Sequence, residues 1–459
     1  MLRSRFYRAL VAASVAALTA FQVLAGQTNS PAPHALITDP ISLADAINIA
    51  LKQNPTILRS QKDLETTHGV VLETRAIAIP KVQFTGSYGA IANGDLDAFN
   101  FGFAGTNVTF GNAQTWTTRI RIVQSLYEGG RIASSIRTAR LLGEQAVLNF
   151  QTSVADTILT VQVAYYDVLA KLQQIAVEEA SVQLLTRELT DTTRRFNAGT
   201  VPRFNVLRAE VELANAKPKL IRARNAYRIA KNNLANVLGF SAGKDQPEEV
   251  PLILAGKLEA EPLEIDLSRA ITSALEQRTE LAALRKAQAL RQEDIINARA
   301  GYRPSLEAYA GYDAHNSVFS SDISTELHGW IAGVQMNWDI FDGLRTRGKV
   351  KEARAQHDKA EIELEDAIRR IELEVRTALF NFREADEVLK SQEKVVEEGE
   401  EALRLANARA EAGAATQLDV LSAQTALTEA RTTQIQALHD YAVARARVER
   451  AIGENSPNH

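Results

Sequence analysis

Residues 116–129, WTTRIRIVQSLYEG, and residues 330–343, WIAGVQMNWDIFDG, decide how this chain folds. In the first, Trp116, Thr118, Ile120, Ile122, Gln124 and Leu126 alternate with Thr117, Arg119, Arg121, Val123 and Ser125. In the second, Trp330, Ala332, Val334, Met336, Trp338 and Ile340 alternate with Gly333, Gln335, Asn337 and Asp339. Successive residues of a strand face opposite sides, so each stretch predicts a β-strand with one apolar face. A second pair follows Pro80 and Pro304: Val82, Phe84, Gly86 and Tyr88, then Leu306, Ala308, Ala310 and Tyr312. Alternating runs of about 10 to 12 residues with aromatics near their ends are the pattern of strands that cross a bilayer. Trp116, Trp330 and Trp338, with Tyr88 and Tyr312, are the candidates for its interfacial aromatic girdle.

The two quoted stretches lie 214 residues apart, and that offset persists to the end of the chain. It pairs Leu126–Gly129 with Ile340–Gly343, Gly199 with Gly413, Val206-Leu207 with Val420-Leu421, and Gly239 with Gly453. Upstream the offset is 224, pairing Ile41–Ile47 with Ile265–Ile271, Pro80 with Pro304 and Tyr88 with Tyr312. The chain is therefore an internal tandem duplication, repeat 1 over 41–239 and repeat 2 over 265–453. Repeat 1 carries an insertion of 10 residues between Tyr88 and Leu126. A proline-bearing linker, 240–264, joins the copies, and 454–459 form a C-terminal tail. A constant offset through the long middle of each copy has a physical cause. A helix pair in register cannot gain or lose a residue without rotating its apolar seam.

Between strand and tip, each copy reads as a very long helix. From Arg131 to Phe196 there is no proline, and Val154, Val161, Ala164, Val168, Ile175, Val182, Leu185 and Leu189 keep heptad-like spacing. Copy two repeats it from Ile368 through Ala410. Such seams predict coiled-coil helices of roughly 100 Å. Val201–Leu238 and Pro55–Ile79 read as two shorter helices that together nearly match the long one and are expected to lie end to end along it. Pro218 is expected to kink the former.

A sheet in lipid must close, because an open edge leaves backbone groups unpaired. Four strands are too few, since the smallest barrels have about eight. Two chains give eight strands and three give twelve; the larger barrel leaves a lumen and is preferred. The fold expected is mainly α with a β part. Long coiled-coil helices form a helical barrel, and four transmembrane strands per chain contribute to a shared trimeric 12-strand β-barrel. The rival is a non-channel periplasmic coiled coil, structural or adaptor-like, whose strands are soluble. Residues 1–25 read as a secretory signal peptide, with Arg3, Arg5 and Arg8 before an apolar run. Residues 26–40 form an N-terminal extension. Losing the leader takes the formal net charge from −4 to about −7. No later stretch offers the roughly 18 to 20 apolar residues of a membrane helix.

Composition narrows the function. With no Cys there is no disulfide, thiolate metal site or Cys nucleophile. The seven His show no metal spacing, and phosphate-loop, dinucleotide and Ser-elbow motifs are missing. The expectation is no enzyme, no cofactor, no metal and, at pI near 6.1, no nucleic acid. Glu397-Glu398 with Glu400-Glu401 reads as a solvated face, and Asn107-Val-Thr as a sequon by pattern in an exposed loop.

In order, spacing and duplication the chain resembles the TolC family of outer-membrane efflux and secretion channels. The resemblance rests on Ser42–Ile47 with Asn54-Pro55, on Leu126–Gly129 and Ile340–Gly343, and on the tip turns Ala198–Thr200 and Ala412–Ala414. It implies a homotrimer with its barrel in outer-membrane lipid and a helical tunnel through the periplasm. It further implies docking to a periplasmic adaptor (membrane fusion) protein bound to an inner-membrane RND or ABC transporter. By the same resemblance Asp419, ahead of Val420-Leu421, faces the constricted periplasmic end. The family's second acid is replaced by Ser422, and Asn205 and Arg208 stand at the matching places of copy one. Arg208 is a candidate tether for a closed tip. Gly199, Thr200, Val201, Gly413, Ala414 and Thr416 are the candidate adaptor-docking tips.

Overall fold

The computed structural model describes residues 40–90, 97–100, 107–110, 114–240, 252–260, 262–317 and 324–454. The signal peptide, nearly all of the 26–40 extension, the first half of the linker and all but the first residue of the tail lie outside them. Repeat 1 comprises α1 (Leu43–Gln53), α2 (Pro55–Arg75), β1 (Lys81–Ala90), a hairpin β2 (Asp97–Asn100) and β3 (Asn107–Phe110), β4 (Gln114–Glu128), α3 (Arg131–Asn197) and α4 (Arg203–Leu238). Repeat 2 comprises α5 (Leu267–Gln277), α6 (Thr279–Arg299), β5 (Ser305–Asn316), β6 (Glu326–Asn337), α7 (Arg345–Glu411) and α8 (Gln417–Ile452). The β2–β3 hairpin occupies the insertion, so the Asn107 sequon begins a strand rather than a loop.

Local chemistry sets the helix starts. Ser42 and Asp45 form a reciprocal capping box ahead of α1. The Asn54 side-chain Oδ1 accepts the Thr56 N–H at 2.7 Å, and Pro55 occupies the first turn of α2, where its missing N–H costs nothing. Asp266 caps α5 by accepting from the N–H groups of Ser268 and Arg269.

Packing follows the seams. Val161, Tyr165, Val168 and Leu169 of α3 are buried with Leu234 and Leu238 of α4, Ala46 and Ala50 of α1, and Leu252 and Leu258 of the linker. Ile371, Val375, Phe382 and Leu389 of α7 are buried with Leu281 of α6 and Tyr441 and Val448 of α8. Nearer the tips, Leu185 meets Leu213, Ala216 and Leu421. The shorter helices do lie end to end: the Asn54 side-chain amide at the start of α2 donates to the Val237 carbonyl at the end of α4 at 2.6 Å. α4 runs unbroken through Pro218. The described part of the linker is a packed strap. Its Ala255 N–H donates to the Ile41 carbonyl, the Ile41 N–H to the Ile253 carbonyl, both at 2.9 Å, and the Tyr165 hydroxyl binds across the pair.

The four long strands form one antiparallel sheet in the order β1-β4-β5-β6, so the two repeats meet at the β4–β5 pair. A bulge at Leu126 shifts the register of that pair. β1 and β6 are left as edges. No described helix is long and apolar enough to cross a membrane.

Candidate functional site: the sheet and the two helical tips

Cross-strand register sorts the sheet side chains into two faces. Tyr88 lies opposite Trp116, Phe84 opposite Ile120 and Val82 opposite Ile122. Ile120 in turn faces Tyr312, which faces Trp330, and Ala308 faces Val334. One side of the sheet is thus a continuous apolar wall. Trp330 is 87% exposed, Phe84 71% and Val82 68%, which water does not tolerate over so large a patch. The Tyr312 and Trp330 rings meet edge to face at 5.3 Å. The two aromatic pairs, Tyr88 with Trp116 and Tyr312 with Trp330, therefore occupy equivalent positions in the two copies.

Trp338 lies just beyond the strand that its alternation predicts. β6 ends at Asn337, and the Trp338 indole N–H donates to the Tyr302 carbonyl at the junction with the helices. Eight residues separate it from Trp330, roughly 26 Å of extended chain, so it lies toward the opposite end of the sheet.

The other face is polar. Arg119 and Arg121 of β4 both bind the Asp313 carboxylate of β5, at 2.9 and 3.1 Å, across the seam between repeats. The Arg121 guanidinium sits 5.1 Å over the Tyr309 ring. Two glycines make room for these groups. A Cβ on Gly311 would come within 2.7 Å of the Arg121 Cγ, and one on Gly333 within 2.7 Å of the Tyr309 hydroxyl. The large polar side chains are thereby laid along the wall. The sequence sets Arg119 and Arg121 on one face of their strand, with no role assigned; the alternation of Arg119, Arg121 and Asp313 against apolar neighbours was the available signal.

At the far end, α3 and α7 stop by the same device. Gly199 and Gly413 take left-handed conformations, φ +75° and +73°. The following N–H groups, of Thr200 and Ala414, donate back to Arg195 and Arg409 carbonyls at 2.9 and 2.7 Å. This is the six-to-one bond of a Schellman turn, in which only glycine adopts the reversal without strain. Gly199, Thr200, Gly413, Ala414 and Thr416 are exposed, and Val201 is half-buried.

Beyond the turns the copies differ. Thr416 caps α8 reciprocally with Asp419: the Thr416 N–H and hydroxyl donate to Asp419 Oδ2, each at 2.8 Å, and the Asp419 N–H donates to the Thr416 hydroxyl. Those bonds, the backbone one foremost, hold the Asp419 carboxyl below its ordinary range. α4 starts after Pro202, which stands at the cap position and supplies no side-chain bond. Ser422 is exposed, and Asn205 and Arg208 are half-buried. Arg208 makes no ion pair among the described residues, so within one chain it tethers nothing. A contact that sequence did not reveal joins the copies instead: the Gln417 amide donates to Thr192 Oγ1 at 2.6 Å and Glu188 Oε1 at 3.0 Å. Among the described residues, His357, Asp358 and Glu361 bring potential metal-ligand atoms within 4.8 Å, but Asp358 and Glu361 are exposed and the set is a solvated helix face.

A family model described as outer membrane efflux protein matches residues 46–240 and 270–454, one stretch in each repeat. Outer membrane protein TolC of Escherichia coli K12 is 23% identical over 90% of this chain and 83% of its own length. Cobalt-zinc-cadmium resistance protein CzcC of Cupriavidus metallidurans is 24% identical over 90% of both chains. Among solved structures, the Campylobacter jejuni CmeC outer membrane channel superposes with a TM-score of 0.75 at 14% identity, covering 90% of this chain and 86% of that one.

Proposed function

This chain belongs to the outer membrane efflux protein family, and from that premise we propose how it works as a passive exit duct of a tripartite efflux pump or type I secretion system. The observation that carries the mechanism is the open four-stranded sheet, apolar on one side, polar on the other, with β1 and β6 unpaired at its edges. In a bilayer those edges must be satisfied, and the only partner with matching strands is another copy of the chain. Three chains close twelve strands into a barrel wide enough to hold water. The apolar wall of Phe84, Ile120, Tyr312 and Trp330 faces lipid, and Arg119, Arg121, Tyr309 and Asp313 line the lumen. Tyr88, Trp116, Tyr312 and Trp330 form one aromatic rim and Trp338 the other.

Below the barrel the long helices continue the passage as a tunnel, each roughly 100 Å long. The paired turns at Gly199 and Gly413 close its periplasmic end, with Asp419 near the axis and Asn205, Arg208 and Ser422 around it. The exposed turn residues Thr200, Val201, Ala414 and Thr416 are where a periplasmic adaptor docks. The tunnel stores no energy, so an inner-membrane RND or ABC transporter supplies the drive. The repeats as units run over 41–239 and 265–453, after removal of the 1–25 leader.

The test is conductance of the purified protein in a planar lipid bilayer. Discrete, mostly small, cation-selective steps are expected, small because the tip is constricted. A folded protein that is silent and does not enter lipid would favour the periplasmic coiled-coil scaffold and sink the duct.

A further inference from the structure

The duplication allows the surroundings of equivalent helices to be compared. Within one chain α3 lies between helices of both repeats: it packs on α2 and α4 of its own copy and on α6 and α8 of the other. Its counterpart α7 packs on α5, α6 and α8 of its own copy, and among the described residues it has no comparable packing against α2 or α4. The missing neighbours are those a following copy would provide.

The α3–α6 contact that does exist is specific. Lys286 Nζ lies 2.7 Å from Glu144 Oε2. One heptad on, Glu293 takes the Ser134 hydroxyl at 2.6 Å and the Arg137 guanidinium at 2.7 and 2.8 Å. The offsets of the duplication carry α6 onto α2 and α3 onto α7. Lys286 and Glu144 become Lys62 and Asp358, the same charges on the same helices. Here, however, the side chains are 74% and 73% exposed. Glu293 and Ser134, 8% and 0% exposed, become Gly69 and Gly348. Both are glycines inside helices, where glycine weakens the helix, and a Cβ on either would touch nothing within 4 Å. Farther down α7, Ile362, Leu373 and Phe380 are exposed, whereas their counterparts Leu148, Leu159 and Tyr166 are half-buried.

We infer that α7 of each chain receives α2 of the next copy, in the register that sets Lys62 against Asp358 and crosses the helices at Gly69 and Gly348. The glycines, idle in one chain, let the two backbones approach, and Ile362, Leu373 and Phe380 continue the seam. Each chain offers α2 on one side and α7 on the other, so the contact is head-to-tail and closes into a ring. This register rests on the ring proposed above.

The chain has no Cys, so an introduced pair reports cleanly. The Lys62→Cys/Asp358→Cys variant, treated with a short bis-maleimide in membranes, is expected to give covalent dimers and trimers. Lys286→Cys/Glu144→Cys, which shares the expected geometry within one chain, serves as the reach control and should stay monomeric on denaturing gels. Separately, Lys62→Glu or Asp358→Lys should each weaken assembly about two- to fivefold, and the two together should restore it. If the Cys pair stays uncrosslinked and the double reversal fails to rescue while sedimentation still gives a three-chain mass, this register is wrong and the ring stands. A wild-type protein that sediments as a monomer in detergent and in membranes overturns both.

Discussion

The two repeats place helices of the same lengths, 11, 21, 67 and 36 residues, in the same order, and fasten them by different chemistry. The break between the first two helices shows it best. In repeat 1 it falls at Asn54 and in repeat 2 at Arg278, both extended, φ −60° and −66°. Asn54 satisfies the break with one amide, bonded to Thr56 and Val237. Arg278 satisfies it with ions: its guanidinium binds Glu280 at 3.0 Å and Glu374 at 2.6 Å. Glu280 also binds Arg450, which reaches Asp156 of the other repeat at 2.7 Å. Lengths and seams are held by register, which every heptad enforces. A fastening is local, and any group that satisfies the backbone and its neighbours will serve.

The comparison predicts unequal costs. Glu280→Ala should be the most damaging change, because it takes the shared partner from two guanidiniums only 6% and 7% exposed and leaves each a single, more exposed carboxylate, Glu374 or Asp156. Removing one partner from a buried charged cluster costs about 3 to 5 kcal/mol, read as a lowered urea midpoint. Acid should expose the same asymmetry. Burial alone would raise the Glu280 pKa, but the guanidiniums of Arg278 and Arg450 bring it from 4.5 to about 2. Its contribution is therefore fully present above pH 4.5 and lost as pH falls toward 2. Glu280→Gln should flatten that acid limb; an unchanged limb would place the acid sensitivity elsewhere. Asn54→Ala, at the equivalent break, should cost only about 1 to 2 kcal/mol, the worth of a cap and one amide bond. Equal losses from Glu280→Ala and Asn54→Ala would mean the two fastenings are interchangeable after all.

These fastenings also mark where sequence was legible. The long helices, the duplication and the two-faced sheet came from period and offset, because a seam or a strand face repeats its signal over many residues. Val161, Val168, Val375 and Phe382 were expected at seam positions and are buried. The ion cluster gave no such signal, since residues 156, 278, 280, 374 and 450 meet only once the helices pack. Where β6 ends was not legible for a related reason, as Trp338 shows. The offset of 214 matches it to a residue of β4, but β4 continues through a bulge to Glu128 while β6 stops at Asn337. Equivalence in sequence does not fix where pairing ends.

The tips give the smallest energies and the sharpest functional question. Asp419 caps α8 and is proposed to be the charge at the tunnel's end, and the two roles can be separated. Thr416→Ala removes the cap and keeps the charge. It should cost about 1 kcal/mol, seen as faster hydrogen exchange at 417–420 with ion selectivity intact. Asp419→Asn keeps an acceptor for the Thr416 N–H and removes the charge, so cation preference should fall while exchange changes little. Asp419→Ala should do both. Asn205→Ala is the control from repeat 1, where Pro202 leaves α4 uncapped, and should alter neither readout. If Asp419→Asn preserves selectivity while Thr416→Ala and Asp419→Ala fray the helix alike, Asp419 is a cap alone. Repeat 2 would then differ from repeat 1 at the tip only in how its helix begins, and the charge that selects cations would have to be sought elsewhere along the lumen.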